Sequence, residues 1–70
     1  RAHARDAAMM ALRKSVAGLP DTQRSIWVMA QIDGLGYAEI ADIEGLPLST
    51  VRGRLARARA TIAKEMESWR

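Results

Sequence analysis

Four arginines, Arg52, Arg54, Arg57 and Arg59, fall in one short run near the end of the sequence. A guanidinium stays charged at neutral pH and presents a rigid fork of donors that suits phosphate oxygens and the edge of guanine. Read at about 100° per residue, residues 49–70 (STVRGRLARARATIAKEMESWR) make one amphipathic helix. Val51, Leu55, Ala58, Ile62, Met66 and Trp69 share an apolar stripe. Arg52 and Arg59 take one shoulder of it, Arg54 and Arg57 the other. Opposite the stripe lie Ser49, Gly53, Ala56 and Ala60. Small residues rimmed by cations can approach a phosphate-lined groove closely, with charge reaching up both walls. The plainer alternative is a solvated helix whose arginines only keep it soluble.

The elements that must carry this helix are few, because 70 residues allow one small domain, residues 1–70. The net charge of +3 is unevenly spread. Residues 46–70 hold six basic and two acidic side chains, whereas residues 1–45 hold five basic and six acidic. A field concentrated on the last helix points to a polyanion, nucleic acid before acidic membrane. Without cysteine there are no disulfides or thiolate metal sites, which fits a reducing compartment. No run suits a membrane span or secretory signal. A start at Arg1 suggests an excised domain.

Helical spacing of Ala8, Met9, Leu12 and Val16 predicts a first helix over about 6–17, with Asp6 capping or charging its start. Met9 and Met10 read as soft core packing, and His3 as idle. Gly18 ends that helix, and Pro20-Asp21 opens a second over about 20–32. Ile26, Trp27, Val28, Met29 and Ala30 make it apolar nearly all round, which predicts a buried, central helix with Trp27 as anchor. After the turn at 33–36, a short helix over 37–44 should turn Ile40, Ala41 and Ile43 inward and Asp42 and Glu44 outward. Gly36 and Glu39 supply half a capping box. Gly45 and Pro47 stop this helix, and a hydroxyl of Ser49 or Thr50 is expected to cap the last one, over about 49–69. A short helix, a tight turn and a basic helix with small residues at its start follow helix-turn-helix logic.

At this level of detail the chain resembles region 4 of the sigma-70 superfamily of bacterial sigma factors, and within it the extracytoplasmic-function (ECF) group. Leu19, Pro20 and Arg24 match the family's opening. Gly34, Leu35, Tyr37, Glu39, Ile40 and Ala41 match its Gly-Leu-Ser-Tyr-x-Glu-Ile-Ala stretch. Gly45, Leu46 and Pro47 match its turn, and Thr50, Val51, Arg52, Arg54, Leu55, Arg57, Ala58 and Arg59 its last helix. The resemblance implies an all-α, four-helix domain whose last helix enters the major groove at the upstream (−35) promoter element. It also implies docking on the flap of the RNA polymerase β subunit, control by an anti-sigma factor and a cytoplasmic location in a bacterium. Departures from the pattern are Gly36 and Gly53 for Ser, Ala56 for a larger side chain, and Glu44 for Leu or Met.

The expected DNA-binding set is Ser49, Thr50, Arg52, Gly53, Arg54, Arg57, Arg59 and Arg24. Those at the start of the helix are placed to reach base edges, with Arg52 or Arg54 on a guanine; Arg57 and Arg59 suit phosphates. Gly53 either lets the backbone approach closely or is drift from Ser, at a helix cost of up to ~1 kcal/mol. Arg24 either reaches a phosphate or pairs with a core-facing acid. The second helix and residues 33–44, away from the basic helix, are expected to face a protein partner, and there Leu35 and Tyr37 either pack the core or offer apolar contacts. Two other functions compete: an anti-sigma decoy that binds no DNA, against which the basic helix argues, and the related helix-turn-helix of response regulators. No enzyme, metal site or cofactor is expected, since there is one His, no Cys and no pair of carboxylates in a plausible cleft.

Overall fold

The last amphipathic stretch is one unbroken helix, and the other helices are laid against it. A computed structural model describes residues 3–69, with side chains from Arg5 to Ser68. Its helices are α1 (His3–Ala17), α2 (Asp21–Gln31), α3 (Tyr37–Glu44) and α4 (Leu48–Trp69), with no strand among the described residues. At about 1.5 Å per residue, α4 runs roughly 33 Å, most of the molecule's 42 Å long axis. It contacts each of the other three helices.

Two apolar clusters lie along α4. Toward its start, Val51 and Leu55 are buried with Ile26 of α2 and Ile40 of α3. Further along, Ala58 and Ile62 are buried with Leu19, and Leu12 and Val16 of α1 pack on them. Trp27 touches both clusters, so it does anchor the core. Full burial of an aliphatic side chain of this size contributes about 1.5–3 kcal/mol. The helical spacing of the last stretch therefore reads the buried stripe correctly through Met66; the side chain of Trp69, like that of His3, lies outside the described residues.

The connections follow local chemistry. Gly34 and Gly45 take left-handed backbone, with φ of 72° and 66°, which glycine adopts without a Cβ clash. After Gly45, the Leu46 N–H reaches back to the Ala41 carbonyl at 3.0 Å, closing the end of α3. At the start of α3 the Gly36 N–H donates to Glu39 at 3.1 Å, the half capping box that the sequence predicts.

Several expectations fail. The α4 helix begins at Leu48, and the Pro47 carbonyl accepts from Thr50 and Val51 at 3.0 and 3.2 Å. Pro47 thus occupies the cap, which moves Ser49 and Thr50 into the first turn, where neither hydroxyl acts as the cap. The α1 helix is already formed at His3, so Asp6 lies within its first turn and charges the helix end instead of capping it. Met9 and Met10 are exposed, Met10 at 70%, because α1 meets α4 through Leu12, Ser15 and Val16. In α3, Ile40 and Ala41 turn inward as expected, but Glu44, one turn after Ile40, joins them in place of Ile43. Ile43 is left 61% exposed, while the half-buried Glu44 accepts from the Ser25 hydroxyl at 3.3 Å. The α2 helix is less enclosed than its composition suggests: Ile26 alone is fully buried, and Ile32, just past its end, is 68% exposed.

Candidate nucleic-acid interface

Burial of Val51, Leu55, Ala58 and Ile62 turns the other side of α4 to solvent. Ser49, Ala56 and Ala60 are exposed there, with Gly53 half-exposed in the middle of the strip. Arg52, Arg57 and Arg59 are exposed along its borders, and Arg54 is half-buried nearer the apolar stripe. Thr50 is half-buried in the first turn. None of these four arginines has a carboxylate partner among the described residues; the ion pair found there joins Arg24 to Asp21. Their charge is therefore not cancelled by an ion pair among the described residues.

The arginines are nonetheless held differently. The Arg52 guanidinium lies over the Tyr37 ring of α3, 5.6 Å from its centroid, within the range where a cation is attracted to an aromatic face. Arg59 donates through Nη2 to Gln31 Oε1 of α2 at 2.7 Å. Arg57 folds back along its own helix, with Nη1 3.9 Å from where a Cβ on Gly53 would stand. A Cβ at Gly53 would meet nothing tighter than that ordinary contact, so internal packing leaves room for alanine there.

Arg24 stands apart from this group. Its Nη1 donates to the carbonyls of Ala17 and Leu19 at 2.9 and 2.8 Å, and its Nη2 pairs with Asp21. The acid it meets is exposed rather than core-facing, and the guanidinium ties the end of α1 to the start of α2. Of the two residues left open upstream, Leu35 is half-buried against the core and Tyr37 is exposed under Arg52.

Sequence reasoning misses two features here. One is the pair of neutral partners, Tyr37 and Gln31, that hold arginines from other helices. The other is an open apolar groove of about 430 Å³ between α1 and α2, lined by Met9, Leu12, Val16, Trp27, Val28 and Ile32 with Arg13 at its edge. The crowding of apolar residues in α2 signals it, because one small core cannot cover them all. Among the described residues no cluster of His, Cys, Asp and Glu could hold a metal, and no helix is long and apolar enough to cross a membrane.

A short helix, a glycine turn and a second helix with an exposed, cation-bordered face form a helix-turn-helix. Residues 9–62 match the family model for sigma-70, region 4, and the chain belongs to that family. It is 33% identical to the RNA polymerase sigma-H factor of Pseudomonas aeruginosa over 67 residues, 96% of this chain and 35% of that protein. It is 37% identical over 54 residues to the ECF RNA polymerase sigma-E factors of Escherichia coli K12 and Salmonella typhimurium, 77% of this chain and 28% of each of theirs. The chain thus spans about a third of the length of these relatives. The family consists of transcription initiation factors, not enzymes.

Proposed function

We propose that this chain is the promoter-reading domain of an ECF-type sigma factor. It recognises the −35 element of double-stranded DNA and so directs RNA polymerase to the start of transcription in the bacterial cytoplasm. The observation that carries the reading is the strip of Ser49, Gly53, Ala56 and Ala60, bordered by four arginines with no carboxylate partner among the described residues. Resemblance to the sigma-E factors supports the ECF assignment.

In this reading the start of α4 enters the major groove. Ser49, Thr50, Arg52 and Arg54 face base edges, Gly53 lets the backbone come close, and Arg57 and Arg59 bind phosphates. Arg24 is left out, because its guanidinium is already committed to two carbonyls and Asp21. The apolar α1–α2 groove faces protein, taking the polymerase β-subunit flap and, in the inactive state, an anti-sigma factor. The protein-facing surface expected on the second helix and residues 33–44 is thereby centred on α2 and its groove with α1, because Leu35 packs inward.

Selection of bound duplexes from random DNA, by the full-length protein with core polymerase, tests the proposal. A shared upstream element should emerge and should be lost when Arg52, Arg54, Arg57 and Arg59 are replaced by Ala together. Unchanged selection by that variant would refute it, and polymerase-independent tight binding would favour the response-regulator alternative.

A further inference from the structure

The two shoulders of α4 differ in how their arginines are held. Arg52 and Arg59 lie on one shoulder, two helical turns apart, and each is engaged by a residue from another helix. Tyr37 of α3 lies under Arg52, and Gln31 of α2 accepts from Arg59 at 2.7 Å. On the other shoulder, Arg54 and Arg57 have no hydrogen bond or ion pair to another helix among the described residues. Both tethers are uncharged. A carboxylate in either place would orient the guanidinium equally well but would cancel the charge that a phosphate needs.

The geometry points to Tyr37 and Gln31 as positioning residues that preset Arg52 and Arg59 for nucleic acid without neutralising them. Arginine has many rotamers to lose on binding, and a side chain already held loses fewer. The tethered shoulder therefore sets the register of α4 on its ligand, while the untethered shoulder adapts to the opposite wall. Tyr37 also links the two helices of the helix-turn-helix across the turn, so α3 carries the register of Arg52. This inference rests on the reading of α4 as the DNA-facing helix.

The test uses the full-length protein with core polymerase and a labelled duplex of the sequence enriched by selection. Tyr37→Phe keeps the ring and should bind as the unaltered protein does. Tyr37→Leu should weaken binding roughly two- to tenfold, the cost of immobilising one freed side chain on binding, and the lost contact should lower the thermal midpoint by only a few degrees. In an Arg52→Ala background, Tyr37→Leu should add nothing. The stack is read directly by NMR: Arg52 Cδ and Nε proton shifts should carry the ring current in the unaltered protein and in Tyr37→Phe, and lose it in Tyr37→Leu. For the second tether, Gln31→Glu should weaken binding more than Gln31→Ala does, because it adds the cancelling charge. A Tyr37→Leu effect that persists without Arg52, Arg52 shifts that ignore the ring, or a harmless Gln31→Glu would each overturn the inference and leave the reading of α4 standing. An Arg52→Ala variant that binds at full strength would instead remove Arg52 from the interface itself.

Discussion

Residues 48–57 of α4 bury Val51 and Leu55 beside Ile26 and Ile40, and every one of these four is almost wholly enclosed. Residues 58–68 are enclosed a little less completely, Ile62 keeping 8% of its surface exposed. There Ala58 and Ile62 meet Leu19, with half-buried Leu12, Val16 and Met66 around them, and the nearby Met9 and Met10 of α1 stay exposed. The contrast separates two demands on one helix. Side chains that must meet a rigid duplex need a platform with one arrangement, and dense packing supplies it. A surface that receives a protein partner can keep an open apolar groove, because the partner completes its burial. Arg52, Arg54 and Arg57 sit along the first stretch and Arg59 just beyond it, while the groove lies beside the second.

The largest effect expected from this contrast is on stability. Leu55→Ala should cost about 2–5 kcal/mol in chemical denaturation, and Met10→Ala within about 0.5 kcal/mol, as for an ordinary surface change. Equal losses would erase the distinction between the halves. Next, Arg54→Ala should weaken binding to the selected duplex by ~1–3 kcal/mol and relax preference at one base pair. Arg57→Ala should weaken all duplexes alike and lower the salt slope by about 1. These are read in binding titrations at several salt concentrations, where identical behaviour of the two variants would remove the division between base and phosphate contacts.

In the second stretch, the buried Ser15 hydroxyl, 5% exposed, donates to Glu65 across the α1–α4 contact. Glu65→Ala leaves that hydroxyl without its partner and should cost about 1–2 kcal/mol in denaturation without altering DNA affinity. A fall in DNA affinity would mean that the halves are coupled. The smallest effect concerns Gly53. Because a Cβ there meets only the tip of Arg57, Gly53→Ala should stabilise the helix by up to ~1 kcal/mol. It should weaken binding to the selected duplex at the same time. Stabilisation with unchanged affinity would identify Gly53 as drift.

The periodicity of Val51, Leu55, Ala58 and Ile62 made the buried stripe of α4 legible, and with it the exposed strip on the far side. Gly45 and Pro47 likewise marked the turn. What sequence left hidden depends on contacts between helices. In an eight-residue helix, spacing alone does not decide whether Ile43 or Glu44 follows Ile40 inward; the nearby Ser25 hydroxyl gives Glu44 a partner, while Ile43 remains exposed. Hydroxyls at Ser49 and Thr50 signal a cap, yet the Pro47 carbonyl already starts the helix. Arg24 looks like any other surface cation until the carbonyls of Ala17 and Leu19 are seen beside it. The tether from Gln31 to Arg59 crosses 28 positions of sequence, and no local pattern announces it.

The most direct test of the central claim is a map of backbone amide shifts as promoter duplex is titrated into the protein. Shifts should concentrate on Ser49, Arg52, Gly53, Ala56 and Ala60 of α4, with Leu12, Val16 and Trp27 in the α1–α2 groove unmoved. Shifts confined to the groove, with the arginine-bordered strip silent, would contradict the account.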